Sequence, residues 1–427
     1  MWIAQFISLT GSQMQVVAIH WHVYLLTRSP LALGLVGLTR VLPIVGFSLW
    51  GGIVADRHDR RRVMLQTQLA MTLVALGLGG ITLAHRDTLW LLYTLNALSA
   101  AAVAFDGHAR QALVPRLVPR EDLPGALSLN LTIFHASMIC GPALAGLVIA
   151  GSGAVLGGGL PEPPVPGTGG AMSHGTPGLA LIYGLNALSF LAVLASLLAM
   201  RPETGKVIAE SGSHEHPLVA LRTGLRFVFT TPLMVWTMAL DFFATFFSGA
   251  MSLLPIFADQ ILRVGPDGYG LLVAAPAVGA IVGSIYTSLW SLPRRQGRVF
   301  LWAVAAYGLA TIAYGLSRSY LLSLLALAGT GLADLVSTVI RQTLRQLITP
   351  DALRGRMTSI NMIFFMGGPQ LGEVEAGLLA SLFASAALGA RVSVVSGGLA
   401  TLLVVIVIGT ATRIVRSYDV TTHLRAD

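Results

Sequence analysis

The sequence predicts an all-α membrane protein with twelve transmembrane helices in two pseudo-symmetric six-helix halves, and three observations lead to this fold class. The 427 residues have a mean hydropathy of +0.75 and only 11% charged side chains, against roughly 25% in soluble domains. Apolar stretches long enough to cross a bilayer recur along the chain. Polar motifs of the first part return in the second part. These properties exclude an ordinary soluble enzyme.

The apolar stretches define the elements in order. A window of about 19 residues finds them at roughly 2–26, 31–55, 63–85, 89–112, 124–151, 178–199, 232–262, 268–290, 299–317, 320–345, 358–385 and 388–412. No basic segment precedes the first span, which is therefore expected to be retained in the membrane, and an upstream start of the chain stays open.

The connections between the spans predict the domain organisation. The one long polar connection divides the chain into an N-terminal half (1–199), a cytoplasmic linker with an amphipathic helix (200–231) and a C-terminal half (232–427). A Gly- and Pro-rich stretch at 152–177 is expected to be a flexible exposed loop.

The two halves repeat each other at a constant offset of 231 residues. Arg110-Gln111-Ala112-Leu113, Pro119 and Asn130 correspond to Arg341-Gln342-Thr343-Leu344, Pro350 and Asn361. A helix-bending motif also recurs, as Gly141, Pro142 and Gly146 in the fifth span and as Gly368 and Pro369 in the eleventh. Duplicated six-helix halves place a substrate site near the midplane, at the interface between the halves.

The basic residues predict the orientation. The loops on the side of the two chain ends carry 21 Lys and Arg residues, whereas the loops on the other side carry 5. Because cytoplasmic loops are enriched in Lys and Arg, both termini are expected to be cytoplasmic.

The connection between the second and third spans carries a family motif, Gly52-Ile53-Val54-Ala55-Asp56-Arg57-His58-Asp59-Arg60-Arg61-Arg62. It resembles the loop 2–3 signature of the major facilitator superfamily, with Asp59 where the general motif has Gly. This form, together with Phe105-Asp106-Gly107-His108-Ala109-Arg110 and Gly368-Pro369-Gln370-Leu371-Gly372-Glu373, is similar to the enterobactin-exporter and macrolide-efflux branch. The resemblance implies a cytoplasmic gate built from Gly52, Asp56, Arg57, Arg60, Arg61, Asp106, Arg110 and Arg341.

The resemblance also implies a function. We expect a secondary transporter of the inner cell membrane, a monomer that exports an amphipathic small molecule (a drug, a macrolide-like compound or a siderophore) in exchange for protons. A lipid or lysolipid flippase of the same fold is the alternative. The chain has no Gly-Lys-Ser/Thr phosphate loop, no His-Glu-x-x-His and no Gly-x-Ser-x-Gly, so neither an ATP site nor a membrane-embedded enzyme is predicted.

Charged residues inside the spans are costly in a membrane and are functional hypotheses by default. Asp241 lies about ten residues into the seventh span, roughly 15 Å deep, where a carboxyl group suits reversible protonation. Arg40 is expected to pair with Glu373 or Glu375 across the two halves and to lock one conformation. A structural ion pair is the alternative to such a gate.

Two further groups complete the coupling candidates. Asp334, two turns before Arg341, and His135 in the fifth span are hypothesised to act in proton or substrate coupling, although a packing role is the alternative for the histidine. His20 and His22 lie on opposite faces of the first span. The single Cys140 excludes a cysteine-based metal site, and His214 and His216 are expected to lie in a solvated spacer. No cofactor, metal or nucleic acid is expected.

Overall fold

The computed structural model describes residues 2–57, 59–117, 119, 122–155, 176–199, 223, 226–289, 295–350 and 354–419. Within these ranges the chain forms helices and no strand, which confirms the all-α class. The helices are α1 (Trp2–Thr27), α2 (Pro30–Arg57), α3 (Arg60–Leu83), α4 (Leu89–Leu117), α5 (Leu123–Val155), α6 (Thr176–Ala199), α7 (Pro232–Phe247), α8 (Gly265–Leu289), α9 (Gln296–Leu316), α10 (Tyr320–Ile348), α11 (Arg354–Ser381), α12 (Ala386–Ala411) and the short α13 (Arg413–Arg416).

Ten of the predicted spans are confirmed as helices that are long enough and apolar enough to cross a membrane. The helices α1 and α11, with 26 and 28 residues, have sufficient length but fall outside this group. Their polar side chains explain the difference, because Gln5, Gln15 and Glu373 are buried between helices instead of facing lipid. The crossing of the membrane by α1 and α11 stays a prediction.

The predicted spans agree with the helices α1–α12 to within five residues at each end, except in the seventh. There α7 ends at Phe247, and the chain continues as a 3₁₀ turn (Ala250–Leu253), a short helical turn (Leu254–Ile256) and a π-helical turn (Phe257–Ile261). We call residues 250–261 the α7 extension.

Twelve crossings would place both chain ends on one face of the bundle. We call this face the termini face, and we call the other one the opposite face.

Glycine contacts show the internal duplication in three dimensions. A Cβ atom added to Gly141 of α5 would lie 2.4 Å from the Cβ of Gln13 on α1. A Cβ atom added to Gly368 of α11 would lie 2.6 Å from the Oγ1 of Thr245 on α7. Because α1 and α7 are the first helices of their halves, the two Gly-Pro motifs hold equivalent helix pairs close together. Pro142 and Pro369 lie inside α5 and α11, and the bending of these helices stays a prediction.

The hydrophobic core joins the two halves at the opposite face. One large cluster of buried residues includes Tyr24, Leu78 and Tyr183 of the N-terminal half together with Phe257 and Tyr269 of the C-terminal half. Toward the termini face, the described buried residues form separate clusters that each stay within one half. The halves are therefore packed against each other near the opposite face.

Glycines line the contact between the halves. Gly146 of α5 meets Gly270 of α8, where an added Cβ on Gly146 would lie 2.9 Å from the Gly270 Cα. Gly34 of α2 meets Gly377 of α11 in the same way, again at 2.9 Å. We call these two backbone contacts the glycine seam. With no side chain between them, the helix backbones approach closely.

The predicted linker lies mostly outside the described residues, although Arg226–Thr230 is helical. Most of the predicted loop at 152–177 also lies outside them. Both assignments, like the domain boundaries, stay predictions.

Candidate functional site

The C-terminal half contains a cluster of three charged side chains, in which Asp241 is buried, Arg341 is mostly buried and Asp334 is about half exposed. The Arg341 guanidinium forms an ion pair with Asp241 of α7, and its Nη2 lies 3.6 Å from the Asp334 Oδ1 on its own helix α10. Arg341 also donates hydrogen bonds to the Ser337 carbonyl (3.3 Å) and the Thr338 hydroxyl (2.7 Å). The structure therefore brings Asp241 together with Asp334 and Arg341, which the sequence analysis had selected as neighbours on the tenth span.

A pocket adjoins this cluster between α7, α10 and α11. Asp241 and Arg341 form one part of its lining, and Arg345 lies one turn further along α10. Met234, Met238, Leu344 and Phe364 supply most of its apolar wall. Its volume of about 20 Å³ holds about one water molecule in this conformation, so a drug-sized ligand would require the helices to move apart.

The N-terminal half holds its charged pair within one helix. Arg110 donates to the Asp106 Oδ2 at 2.7 and 3.1 Å, as expected for residues four apart on one helical face. The other oxygen, Oδ1, accepts hydrogen bonds from the Thr67 hydroxyl (3.1 Å) and the Gln68 amide (3.0 Å) of α3. The predicted Asp106–Arg110 pair is thus present and is fully hydrogen-bonded.

The motif between α2 and α3 is only partly within the described residues. Asp59, which replaces the usual glycine, is the N-cap of α3 and accepts a hydrogen bond from the Arg61 amide. The Arg61 side chain donates to the carbonyl oxygens of Leu197 and Leu198 at the end of α6. The structure does not describe the surroundings of four motif residues, Gly52, Asp56, Arg57 and Arg60. Their role in the gate stays a prediction.

The expected pair between Arg40 and a glutamate of α11 is not formed in this conformation. Glu373 instead faces His20 of α1, with 3.6 Å between Oε2 and Nε2. On α2, Gly37 lies against the Glu373 side chain, where an added Cβ would be 2.8 Å from Oε2. Arg40 follows three residues later, about 4.5 Å further along the axis, and no described carboxylate lies within ion-pair distance of it. The helices α2 and α11 do pack together, and the role of Arg40 as a lock of one conformation stays a prediction.

The remaining coupling candidates are not brought together with the cluster. Glu375 is half-buried on α11 and His135 is half-buried on α5, where its ring packs edge-on against Phe134. Neither side chain has a hydrogen-bond partner among the described residues. Their proposed roles stay predictions.

Two polar clusters near the opposite face were missed by the sequence analysis. Asp259 of the α7 extension accepts hydrogen bonds from Tyr24 (2.5 Å) and Arg28 (2.5 Å) of α1, and so connects the two halves. Within the N-terminal half, the His22 Nε2 lies 2.8 Å from the Asp87 Oδ2. A search restricted to charges deep inside the spans does not find these residues, because Arg28, Asp87 and Asp259 lie near helix ends or in loops.

Two packed helical halves with a charged cluster among the helices of one half have the major facilitator fold, which is a fold of membrane transporters. The sequence profile of the transmembrane secretion effector family matches residues 1–160 and 165–423. The chain belongs to this family and is a transporter of small molecules, not an enzyme.

The relatives and solved structures agree with this class. The enterobactin exporter EntS of Shigella boydii serotype 18 is 27% identical over 381 residues, which cover 89% of this chain and 84% of the relative. A bacterial homologue of the human lysosomal transporter Spinster, inward-facing and occupied, has a TM-score of 0.74 at 13% identity and 98% and 96% coverage of the two chains. A bacterial homologue of the iron transporter ferroportin gives a TM-score of 0.68 inward-facing (96% and 97% coverage) and 0.56 outward-facing (96% and 98%), both at 17% identity.

Proposed function

We propose that this protein is a secondary active exporter that moves an amphipathic small molecule out of the cell in exchange for protons, by alternating access. The observation that carries the proposal is the Asp241–Arg341–Asp334 cluster beside the pocket between α7, α10 and α11, with its buried acid Asp241. The enterobactin exporter relatives make a siderophore-like compound the first substrate to test.

The orientation supports export from the cytoplasm. The excess of Lys and Arg on the side of the chain ends favours a cytoplasmic termini face. In that orientation the two halves are closed at the periplasmic side, and the Asp241 cluster lies toward the cytoplasmic side. The higher TM-score to the inward-facing ferroportin homologue than to its outward-facing state agrees with this orientation.

The shared arginine gives the cluster a way to accept a proton. When both carboxylates are charged, Arg341 interacts with two acids, Asp334 on its own helix and Asp241 on α7. Protonation of Asp241 weakens its ion pair but leaves Arg341 paired with Asp334, so that no isolated buried charge arises. The α7–α10 contact can therefore loosen on protonation without the cost of an unpaired guanidinium.

The experiment uses everted membrane vesicles that are energised by respiration, with a dye that reports the pH gradient. A catecholate siderophore, a macrolide and a lipophilic cation are added in turn to vesicles with the wild-type protein, with Asp241→Asn or with Asp267→Asn. The third variant is a matched control, because Asp267 is an exposed acid on α8.

We expect at least one compound to release protons from vesicles with wild-type protein and with Asp267→Asn. Asp241→Asn is expected to lose this release while it still binds the compound. If no compound moves protons in the wild-type vesicles, the proposal of proton-coupled export is contradicted. If release survives in Asp241→Asn, the assignment of coupling to this cluster is contradicted.

A further inference from the structure

His20 and Glu373 form a buried contact between the two halves that no hydrogen bond satisfies. His20 lies on α1 and is 5% exposed, and Glu373 lies on α11 and is 9% exposed. The His20 Nε2 and the Glu373 Oε2 are 3.6 Å apart, and neither atom has a hydrogen-bond partner. Buried polar atoms of this kind are rare in native proteins and call for an explanation.

The other ring nitrogen of His20 fixes the tautomer. Its Nδ1 lies 2.9 Å from the carbonyl oxygen of Val16, one turn earlier in α1. A carbonyl oxygen only accepts hydrogen bonds, so Nδ1 must carry a proton and donate it. In the neutral imidazole the Nε2 atom then carries no proton, and its lone pair faces the carboxyl group of Glu373.

The contact therefore lacks one proton when Glu373 is ionised and His20 is neutral. Two acceptors then face each other in a buried site, which is unfavourable. One added proton removes the conflict, because it forms either an imidazolium–carboxylate pair or a neutral carboxylic acid that donates to Nε2. A second proton would again leave the imidazolium without a charged partner.

The groups around the contact offer no other compensation. From α8, the Tyr269 phenol lies near Glu373 and already donates to the Val17 carbonyl. The neighbours on α2 and at the end of α7 are Gly37 and Gly249, which carry no side chain. On α11 itself, Gln370 is neutral and has an unpartnered Oε1, which is a further acceptor.

Two charged residues complete the surroundings. Arg40 on α2 forms no ion pair with any described carboxylate. Glu375 is two residues from Glu373, about 200° around the helix. His20 is therefore the one described basic group within ion-pair distance of Glu373.

We propose that His20 and Glu373 together bind one proton and that this proton holds the two halves closed at the opposite face. The two residues belong to different halves, so that parting of the halves there exposes both groups to water, where neither needs the proton. Closing then takes up one proton from solvent, and opening returns it. The role of this proton in a transport cycle rests on the proposed function, whereas its binding by His20 and Glu373 does not. The site is separate from the Asp241 cluster.

The experiment measures the distance between the halves as a function of pH, in the absence of any substrate. Spin labels are attached to Arg86→Cys and Arg318→Cys in a Cys140→Ala background. Both labelled positions are exposed in loops at the opposite face, one in each half. Double electron–electron resonance on the full-length protein in lipid nanodiscs then gives the ratio of closed to open molecules from about pH 5 to about pH 9, around the range in which histidine titrates.

In the protein with native His20 and Glu373, the closed-to-open ratio is expected to fall as the pH rises, by up to about tenfold per pH unit for one linked proton. Glu373→Gln is expected to lose the fall of this ratio with rising pH, because its amide donates to the unprotonated His20 Nε2 without an added proton. His20→Gln is expected to lose the pH dependence for the same reason and serves as the second variant. Glu375→Gln, the matched control on the same helix, should keep the native pH dependence.

A pH-independent ratio in the protein with both native residues would overturn the proposal, as would a native pH dependence in Glu373→Gln and His20→Gln. Because no substrate is present, such a failure is distinguishable from the failure of proton-coupled export. The vesicle experiment could still succeed through Asp241 if this site were wrong.

Discussion

A single methyl group in the glycine seam should open the opposite face. In Gly146→Ala, the new Cβ would lie 2.8 Å from the Pro266 carbonyl oxygen and 2.9 Å from the Gly270 Cα. Ordinary van der Waals contact begins at about 3.4 Å, so that α5 and α8 must separate by about 0.6 Å. Both obstructing atoms belong to backbone, which cannot move aside as a side chain can.

The size of the effect follows from the cost of overpacking. An added methyl group in a close-packed contact costs about 1–3 kcal/mol, and this cost applies only while the two halves are closed. The ratio of closed to open molecules should therefore fall by about 5- to 150-fold. Gly151→Ala on the same helix is the matched control, because its added Cβ meets nothing within 4 Å. Both substitutions give the same gain in helix propensity, about 1 kcal/mol.

The assay is the same pair of spin labels at positions 86 and 318, measured at one fixed pH. The distance distribution of Gly146→Ala should shift toward the open state, and that of Gly151→Ala should match the protein with native glycines. Equal distributions in the two variants would refute the reasoning, since they would show that the seam yields to a methyl group without separation of the halves.

Two further predictions concern the stability of the protein in detergent. Arg341→Ala leaves Asp241 and Asp334 without their partner and should lower the free energy of unfolding by about 3–5 kcal/mol. The double variant Arg341→Leu with Asp241→Leu should recover most of this stability but should not recover transport. Equal losses of stability in the two proteins would contradict the paired arrangement. In the loop before α4, burial opposes the charge of Asp87, but the hydrogen bond from His22 and a backbone hydrogen bond outweigh it and hold the pKa of Asp87 below its ordinary value of 3.8. A lowered pKa stabilises the fold above that value and stops doing so as the pH falls through the folded pKa, so the thermal unfolding midpoint of Asp87→Asn should lie below that of the wild type near pH 7 and approach it near pH 3. A constant difference between the two midpoints would contradict this assignment.

The architecture could be predicted from the sequence because it depends on composition and repetition. Apolar length alone gives the helix positions, and the offset of 231 residues between Arg110 and Arg341 gives the duplication. The break after Phe247 could not be predicted in this way. The residues of the α7 extension are as apolar as those of a regular helix, and a window of about 19 residues averages over a change from α to 3₁₀ and π turns.

The candidate site could be predicted in part. Asp241 and Asp334 were selected as charges within spans and Arg341 as a gate residue, but the meeting of Asp241 with Arg341 depends on the rotation of α7 against α10, which no local pattern contains. The absence of the Arg40 pair from this conformation has a related cause: the packing of α2 against α11 followed from the family fold, whereas the side chains that face Glu373 depend on the axial register of the two helices. Gly37, and not Arg40, lies where the backbones approach.

His20 illustrates a different limit. A search for charges treats histidine as neutral and ranks it below aspartate, glutamate and arginine. Its importance depends on which ring nitrogen is free, and this in turn depends on the hydrogen bond from Nδ1 to a carbonyl one turn earlier. Such a contact follows from the side-chain rotamer and not from the residue type.

The glycine seam also bears on how easily the halves can part. When a side chain is immobilised at an interface, it loses rotamer freedom worth up to about 2 kcal/mol, and a glycine has no such freedom to lose. The seam at Gly34, Gly146, Gly270 and Gly377 therefore forms and separates with little ordering of side chains. With a small entropic penalty on closing and no interlocked side chains to release on opening, the two conformations can lie close in free energy. A balance of that kind responds to a perturbation as small as one proton or one bound molecule.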